Sequence, residues 1–378
     1  MDFVNALEIT KELIKIDTRN PPGYTTKAVE FLESIFSSYN TRIYSKEEGK
    51  ENLVVEISKG KPVVMLTSHL DTVPCDEKLL NPVVIDRKLY GRGSCDAKGC
   101  VASICQAAFK LDDVDIGLKL AFTCDEEVGG VNGLGFVFPR EKADVVIIGE
   151  PTGSDSVGVL QASVLAVDIY IRGKSGHTAS QDASEGAVFK ASKYIIERVN
   201  AFKKLRGSFE DYKGFFEKIG YEFVLKSWHA AFNPAIVRGG VKRNVVAESC
   251  VLKADVRFAP WISVDEIKRV LEDDCVERFE VIGFLKPYGV RFDNVELIKD
   301  VEVLKRLQRV IRNRGKNPKA VFSLGVGDTR HVRKYGVPAF YLGPRGEGLH
   351  SENEFVYISE LYEVAEIYVE FVRSLESF

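Results

Sequence analysis

The sequence predicts an α/β protein with a mostly parallel sheet, helices on both faces of that sheet, and an inserted α+β domain. In the first part of the chain, short apolar runs typical of buried strands alternate with stretches of helical periodicity, as in parallel sheets. From about residue 164 the order changes to strand, helix, strand, helix, strand, and the first pattern then returns. A chain of 378 residues is also too long for one ordinary core.

The first part begins with two predicted helices, at 6–16 and 25–36, and Thr25 or Thr26 is the expected N-cap of the second. The elements that follow are predicted strands at 52–57 and 62–67, a helix at 98–111, and strands at 117–123 and 145–148. Ligands of such sheets bind beyond the carboxyl ends of the strands. Polar residues directly after these apolar runs are therefore the candidate site residues.

The middle part has a different texture. It contains predicted strands at 164–171, 251–258 and 279–284, helices at 186–199 and 264–271, and a stretch at 201–226 without a clear pattern. The closing part has predicted helices at 302–312 and 359–374 and strands at 320–323 and 339–342. We therefore predict a main domain formed by 1–163 and 286–378, with an inserted domain at 164–285.

Composition excludes several classes of protein. The chain is 45% hydrophobic and 28% charged, as in globular proteins, and its net charge of −3 gives no electrostatic reason to expect a nucleic-acid partner. No apolar run approaches the ~20 residues that span a bilayer. The first five residues lack the basic and apolar regions of a signal peptide. We expect a cytoplasmic protein without a membrane partner.

The seven cysteines contain no Cys-x-x-Cys pair and are odd in number, so neither a disulfide framework nor a zinc knuckle is expected. Buried free thiols are the simplest interpretation. Cys95 and Cys124 lie next to candidate site acids. Acyl transfer by one of these thiols is an alternative, although no histidine of the sequence looks paired with either.

Acids and histidines recur where apolar runs end. They are His69 and Asp71 in SHLDTVP (68–74), Asp96 in GRGSCDAKG (91–99), the pair Glu126 and Glu127, Glu150 in GEPT (149–152), and His350 in GLHSENE (348–354). Two histidines and several carboxylates at strand ends are what a site for two hard-to-borderline divalent metals requires. Each alone also has a structural explanation, such as a helix N-cap or a surface turn.

Local spacing suggests separate tasks within this set. His69 and Asp71 point the same way on an extended segment, so the carboxylate can orient the imidazole for metal binding. The carboxylate of Asp96 can bridge two cations. Glu126 and Glu127 repel each other, so one needs a cation or a raised pKa, and one can bind metal while the other accepts a proton.

These motifs, together with GKSGH (173–177), resemble those of the dinuclear zinc aminoacylase/carboxypeptidase family over nearly the whole chain. This family includes acetylornithine deacetylase, succinyl-diaminopimelate desuccinylase and glutamate carboxypeptidase. The resemblance implies two divalent metal ions per chain, with zinc favoured and cobalt or manganese possible. It implies hydrolysis of the amide of an N-acyl amino acid by a metal-bridged water with a glutamate base; a metallocarboxypeptidase or dipeptidase is the alternative.

The resemblance also implies a role for each residue. His69, Asp96 and Glu150 would hold one metal, and Asp96, Glu127 and His350 the other. Glu126 would be the general base and Asp71 the residue that orients His69. The family also places a cis peptide after the bridging aspartate, here between Asp96 and Ala97.

The inserted domain resembles the lid of the family, through which the subunits form a homodimer. His177 would reach the partner's site and stabilise the oxyanion. Asn244 and Arg257 match lid positions that contact substrate, and Arg345 is an extra cation that would meet a substrate carboxylate. His331 is expected to be structural, and His229 is assigned no role.

The chain departs from the desuccinylase pattern before the first lid strand (LQAS, 160–163), before His350, and at Val326, where a threonine is expected. These departures argue against succinyl-diaminopimelate as substrate. A non-catalytic protein that kept the fold for ligand capture is a further hypothesis, and it would require a damaged site.

Overall fold

The computed structural model describes residues 5–286 and 297–376. Its helices are α1 (Ala6–Lys15), α2 (Thr26–Ile35), α3 (Lys98–Ala108), α4 (Leu134–Val137), α5 (Ala187–Lys204), α6 (Phe209–Lys218), α7 (Val264–Leu271), α8 (Leu297–Asn313), α9 (Thr329–Arg333) and α10 (Ile358–Ser374). No helix within the described ranges is long and apolar enough to cross a membrane. Residues 1–4, which belong to the segment used to exclude a signal peptide, lie outside the described part.

The strands, in chain order, are β1 (Asn40–Ser45), β2 (Glu51–Ser58), β3 (Val63–His69), β4 (Val83–Ile85), β5 (Lys88–Tyr90), β6 (Gly117–Thr123), β7 (Val145–Ile148), β8 (Ser156–Gly158), β9 (Ser163–Arg172), β10 (Gly176–His177), β11 (Glu222–Leu225), β12 (Ala230–Gly239), β13 (Val245–Val246), β14 (Ser249–Phe258), β15 (Val276–Leu285), β16 (Lys319–Phe322), β17 (Ala339–Tyr341), β18 (Gly346–Glu347) and β19 (Phe355–Tyr357).

The largest sheet in the described ranges has nine strands, in the order β1-β2-β6-β3-β7-β17-β8-β16-β11. Its centre, β6-β3-β7-β17, is parallel. Side chains of a strand alternate between faces, and here Leu66 and Ile147 belong to one hydrophobic core while Met65 and Val146 belong to another. Helices α1, α2, α3 and α10 cover the first face, and α4 and α9 cover the second. The predicted α/β fold class is therefore confirmed.

A second sheet has four antiparallel strands in the order β12-β14-β9-β15. Helix α5 packs across this sheet, and α7 packs against α5. All of these elements lie within the predicted inserted domain at 164–285, apart from the first residue of β9. One element of that range behaves differently, because β11 pairs in parallel with β16 and extends the large sheet. The division into two domains stays a prediction. Strand β11 belongs by sequence to the predicted inserted domain but pairs with the sheet of the main domain.

Candidate metal centre

Three of the predicted site segments leave the large sheet at the same edge. Strand β3 ends at His69, β6 leads into Glu126 and Glu127, and β7 leads into Glu150. Strand β3 pairs in parallel with both β6 and β7. The carboxyl ends of these strands therefore meet, as in other open α/β sheets.

Two donor sets share one carboxylate at this edge. The Nε2 atom of His69 lies 3.1 Å from Asp96 Oδ1 and 3.8 Å from Glu150 Oε1. The Nε2 atom of His350 lies 3.3 Å from Asp96 Oδ2 and 3.4 Å from Glu127 Oε2. In each set the ligand atoms all lie within 4.8 Å of one another. The two oxygens of Asp96 thus face different sets, which suits a bridging carboxylate.

The charges and contacts of these residues fit bound cations. Within the described residues, Glu127 Oε1 and Glu150 Oε1 are buried without a hydrogen-bond partner, and a buried charge without a partner is costly. Burial, reinforced by Asp96, raises the pKa of Glu150 well above its usual value. The carboxylates of Asp96 and Glu127 raise the pKa of His350 to about 10. The cluster holds more negative charge than its imidazoles balance.

The spacing of the donors also fits. Nitrogen and oxygen ligands lie about 2.0–2.2 Å from zinc, so two donors on one tetrahedral ion are roughly 3.4 Å apart. Three of the four separations given above, 3.1, 3.3 and 3.4 Å, are close to that value. Both sets can therefore accept an ion with little movement of their side chains.

Asp71 does more than the sequence suggested. The Nδ1 atom of His69 lies 2.9 Å from the backbone oxygen of Asp71 and 3.5 Å from its carboxylate. Donation to the carbonyl leaves Nε2 unprotonated and free to bind metal. The carboxylate instead accepts the backbone N–H groups of Glu126 (3.1 Å) and Glu127 (3.3 Å). Burial opposes its ionisation, yet the adjacent His69 ring and a hydrogen bond from Asn20 keep the pKa of Asp71 low.

A cavity of about 590 Å³ opens over both donor sets. Glu126 faces it, and burial and the nearby Glu150 raise the pKa of Glu126 well above its usual value. Gly327 approaches Glu126 so closely that a Cβ there would lie 2.9 Å from Oε1. Two cations, Arg257 and Arg330, line the same cavity.

Comparison with known proteins decides the family. Residues 65–374 match the profile of peptidase family M20/M25/M40. The chain belongs to this family. A LysW-lysine/LysW-ornithine hydrolase of Sulfurisphaera tokodaii is 25% identical over 97% of the chain and 95% of that protein. An uncharacterised metallohydrolase of Methanocaldococcus jannaschii is 26% identical over 99% and 100% of the two chains.

The crystal structure of a tripeptidase from Staphylococcus aureus has the same fold, with a TM-score of 0.72 at 21% identity over 99% and 98% of the two chains. Membership of peptidase family M20/M25/M40 confirms the expected metal-dependent hydrolase of amide bonds. The two donor sets of this chain, which share Asp96, support the dinuclear centre expected from the sequence. The hypothesis of a non-catalytic, ligand-binding protein required a damaged site, and this chain retains both donor sets, so that hypothesis is rejected.

His177 and Asn244 lie together, outside the residues that line this cavity. His177 is exposed on β10, which pairs with β13, and its Nε2 lies 3.5 Å from Asn244 Nδ2. The backbone N–H of Ala179 donates to its Nδ1 at 3.2 Å. His177 is therefore exposed to solvent in the single chain, and its expected role in a partner's site stays a prediction.

The two predicted substrate arginines have different surroundings. Arg257 Nε donates to Asp255 Oδ1 at 3.0 Å, and Arg257 still lines the cavity of the donor sets. Arg345 lies in a separate cavity of about 390 Å³ and forms an ion pair with Asp155. The structure does not bring Arg345 to the donor sets.

Sequence reasoning missed three residues. Arg330 follows Asp328 in the GVGDTR segment (325–330) and adds a second cation to the cavity. Glu354, at the end of the segment that carries His350, is buried and pairs with the buried Arg92. Arg92 and Glu354 lie in the motifs GRGSCDAKG (91–99) and GLHSENE (348–354), in which the sequence indicated roles only for Asp96 and His350.

The remaining histidines and the thiols have structural surroundings. His331 Nε2 lies 3.0 Å from the oxygen of Gly129, and burial lowers its pKa to about 4. The Nδ1 atom of buried His229 accepts a hydrogen bond from Trp261 at 3.2 Å. Cys95 and Cys124 are buried, and burial raises the pKa of both thiols far above the usual range. Neither thiol supplies a thiolate nucleophile.

Proposed function

We propose that this chain hydrolyses the amide bond of an N-acyl amino acid at a dinuclear metal centre, as acetylornithine deacetylase or a desuccinylase does. The proposal rests on one observation above all. Two donor sets share Asp96, and Glu126 faces the same cavity without belonging to either set. Imidazole and carboxylate ligands suit zinc, and they also suit cobalt and manganese.

In this proposal His69, Asp96 and Glu150 hold one ion, and Asp96, Glu127 and His350 hold the other. Two bound divalent ions supply Lewis acidity and make water nucleophilic at neutral pH.

Glu126 then acts as general base and general acid. Its carboxylate takes a proton from the attacking water and returns it to the leaving amine nitrogen, which must be protonated to depart. The Asp71 carboxylate holds the backbone N–H groups of both glutamates and so fixes the direction in which Glu126 points. The raised pKa of Glu126 in the absence of cations fits a group that keeps a proton after taking it from water and before giving it to the amine.

Substrate choice follows from the two arginines that line the cavity. Arg257 and Arg330 are the cations among its lining residues, and an arginine fork binds a carboxylate well. An amino acid released by the reaction carries such a carboxylate. Arg345 and Asn244, both expected to contact substrate, stay predictions; Asn244 would have to act from the partner subunit.

Peptide hydrolysis is the alternative, because a peptide is also an N-acyl amino acid. The relatives point both ways: one is named a hydrolase of LysW-lysine and LysW-ornithine, and a structural neighbour is a tripeptidase. A panel of N-acetyl amino acids, N-succinyl amino acids and dipeptides separates the classes. If the enzyme releases an amino acid from none of these compounds, both proposals are contradicted.

Metal removal tests the proposed centre. We expect the purified enzyme to carry about two ions per chain, to lose hydrolysis of N-acetylornithine or of the best panel substrate on chelation, and to regain it with zinc or cobalt. Re-addition at 100 times Kd should also stabilise the fold by about 2.7 kcal/mol for each ion bound, seen as a higher melting temperature. No bound metal and no response of activity or melting temperature would refute the centre.

We also propose that residues 164–285 form a lid through which two subunits pair. Apolar side chains are exposed on α5 (Val188, Phe189 and Ile196) and on the edge strand β12 (Ile236 and Val237). Exposed apolar side chains of this kind are found at contact sites. A homodimer would cover this surface and could carry His177 to the partner's cavity. The cytoplasmic location expected from the sequence stays a prediction.

Subunit complementation tests this role. His177→Ala should lower kcat by roughly 10²-fold, because one oxyanion donor is lost. Co-expression of H177A with E126Q under two affinity tags yields mixed dimers in which one site has both groups, provided that His177 acts across the interface. We expect these mixed dimers to be far more active than either homodimer. Inactive mixed dimers, or a monomeric protein, would contradict the proposal.

A further inference from the structure

Asp125 forms an unusual corner between β6 and the two glutamates. Its backbone is left-handed, with φ of 64° and ψ of 15°. A non-glycine residue pays roughly 1 kcal/mol in this region, and aspartate is among the few that enter it regularly. The corner turns the chain so that Glu126 and Glu127 face the cavity while the side chain of Asp125 points into the protein.

Three donors hold the Asp125 carboxylate. Its Oδ1 forms an ion pair with Lys50 Nζ and accepts from Asn20 Nδ2 at 3.0 Å, and its Oδ2 accepts from Asn132 Nδ2 at 2.7 Å. The side chains of Lys50 and Asp125 are only 12% and 4% exposed. A buried charge held by an opposite charge and two amides is a rigid anchor.

Asn20 connects this anchor to the site. The same Nδ2 group also donates to Asp71 Oδ2 at 2.9 Å, so its two hydrogens bind two carboxylates. Asp71 in turn accepts the backbone N–H groups of Glu126 and Glu127. Asn20 is itself fixed, because its backbone N–H donates to Thr72 O at 2.7 Å.

We infer that Lys50, Asn20 and Asp125 are positioning residues for the Glu126–Glu127 pair. None of the three belongs to a donor set or lines the cavity. Lys50 and Asn20 hold the Asp125 carboxylate and so fix the corner. Asn20 also holds Asp71, which binds the backbone N–H groups of both glutamates. The inference rests on the proposed function, in which Glu126 transfers the proton and Glu127 binds an ion.

A merely stabilising ion pair is the competing explanation, and the chain offers a matched control. Lys119 Nζ lies 2.7 Å from Glu141, with side-chain exposures of 18% and 5%. When its lysine is removed, Glu141 keeps the Arg42 guanidinium and the Tyr44 hydroxyl as donors, whereas Asp125 keeps only two uncharged amides. K50M should therefore cost more stability than K119M, and kcat is compared at a temperature at which both variants are folded; only K50M should disturb the site.

The experiment compares K50M, K50R and K119M in the full-length, metal-loaded enzyme. We expect K50M to lower kcat about 10–100-fold with little change in KM, as for other residues that support metal-site ligands, and K50R to regain most of that loss. K119M should keep the wild-type kcat. Equal kcat in K50M and K119M, or no recovery in K50R, would overturn the inference.

Zinc titration gives a readout that does not depend on turnover. K50M should bind one of the two ions, the one held by Glu127, about 10-fold less tightly than K119M does, because Glu127 is displaced. Equal zinc affinities would contradict the positioning role even if the wild type hydrolysed no substrate tested. A wild type that binds zinc without hydrolysing any N-acyl amino acid or peptide would instead contradict the proposed function.

Discussion

Replacing Glu126 by glutamine should lower kcat by about 10²–10⁴-fold, the usual contribution of a general acid–base group. Glutamine keeps the size of the side chain, but its neutral amide cannot accept a proton from water or return one to the leaving amine. KM should change little, because Arg257 and Arg330, rather than Glu126, are expected to bind the substrate carboxylate. Initial rates over a range of substrate concentrations measure the two constants separately.

The metal content of this variant separates proton transfer from ligand loss. Glu126 lies outside both donor sets, so E126Q should still bind two ions. E127Q is the matched control: it changes the neighbouring residue in the same way, removes a donor, and should weaken binding of one ion. A loss of kcat under about 10-fold in fully loaded E126Q would assign the base to another residue.

The same substitution should not weaken the fold. Burial and the nearby Glu150 raise the pKa of Glu126, so ionised Glu126 is disfavoured in the folded protein without metal. The pKa of Glu126 is higher in the folded protein than in the unfolded chain. Protonated Glu126 therefore stabilises the fold at low pH, and this contribution is lost as the pH rises through the folded-state pKa. Near neutral pH, metal-free E126Q should melt no lower than the metal-free wild type. Thermal melting of both proteins after chelation measures this.

The residues after β3, β6 and β7 could be predicted as one cluster because each follows the end of a buried strand, whereas their division into two donor sets came from the motif resemblance. Apolar runs before His69, Glu126 and Glu150 are signals of buried parallel strands, and parallel strands bring their carboxyl ends together. His350 is far from these residues in sequence, and its left-handed backbone, with φ of 62°, is not visible in any local pattern. The motif resemblance, rather than periodicity, placed it in the set.

The detailed role of Asp71 was harder to predict. Alternation along a strand suggested that it shares the face of His69, but β3 ends at His69 and the alternation ends with it. Asp71 therefore turns its carboxylate mainly towards the backbone of Glu126 and Glu127. A local pattern carries no information about such a contact, whose partners are more than fifty residues away.

Two other features depend on pairing between distant segments. Strand β11 lies in the stretch at 201–226 that had no clear pattern, and its strand character becomes evident only through its pairing with β16. Arg345 comes shortly before His350 in sequence, yet its guanidinium pairs with Asp155 and lines a separate cavity. Sequence proximity to a ligand did not bring this side chain into the cavity.

Replacing Glu354 by alanine should lower the free energy of unfolding by about 3–5 kcal/mol, because it leaves a buried guanidinium without its partner. Arg92 and Glu354 have side chains only 3% and 0% exposed. The Glu354 carboxylate also accepts the backbone N–H groups of Gly93 (3.2 Å), Cys95 (3.0 Å) and Asp96 (3.0 Å). Urea unfolding of metal-free protein measures the loss without the contribution of bound ions.

Two controls distinguish a buried unpaired charge from a general loss of packing. Glu366→Ala breaks the exposed Lys110–Glu366 pair and should cost at most about 1 kcal/mol. The double variant R92M/E354M replaces both charges with apolar side chains and should be more stable than E354A, since no charge is left without a partner. Equal destabilisation in the double variant and in E354A would show that the loss comes from the backbone hydrogen bonds. Because those bonds fix the segment that ends at Asp96, the double variant should still bind metal more weakly than the wild type, which zinc titration of the refolded protein would detect.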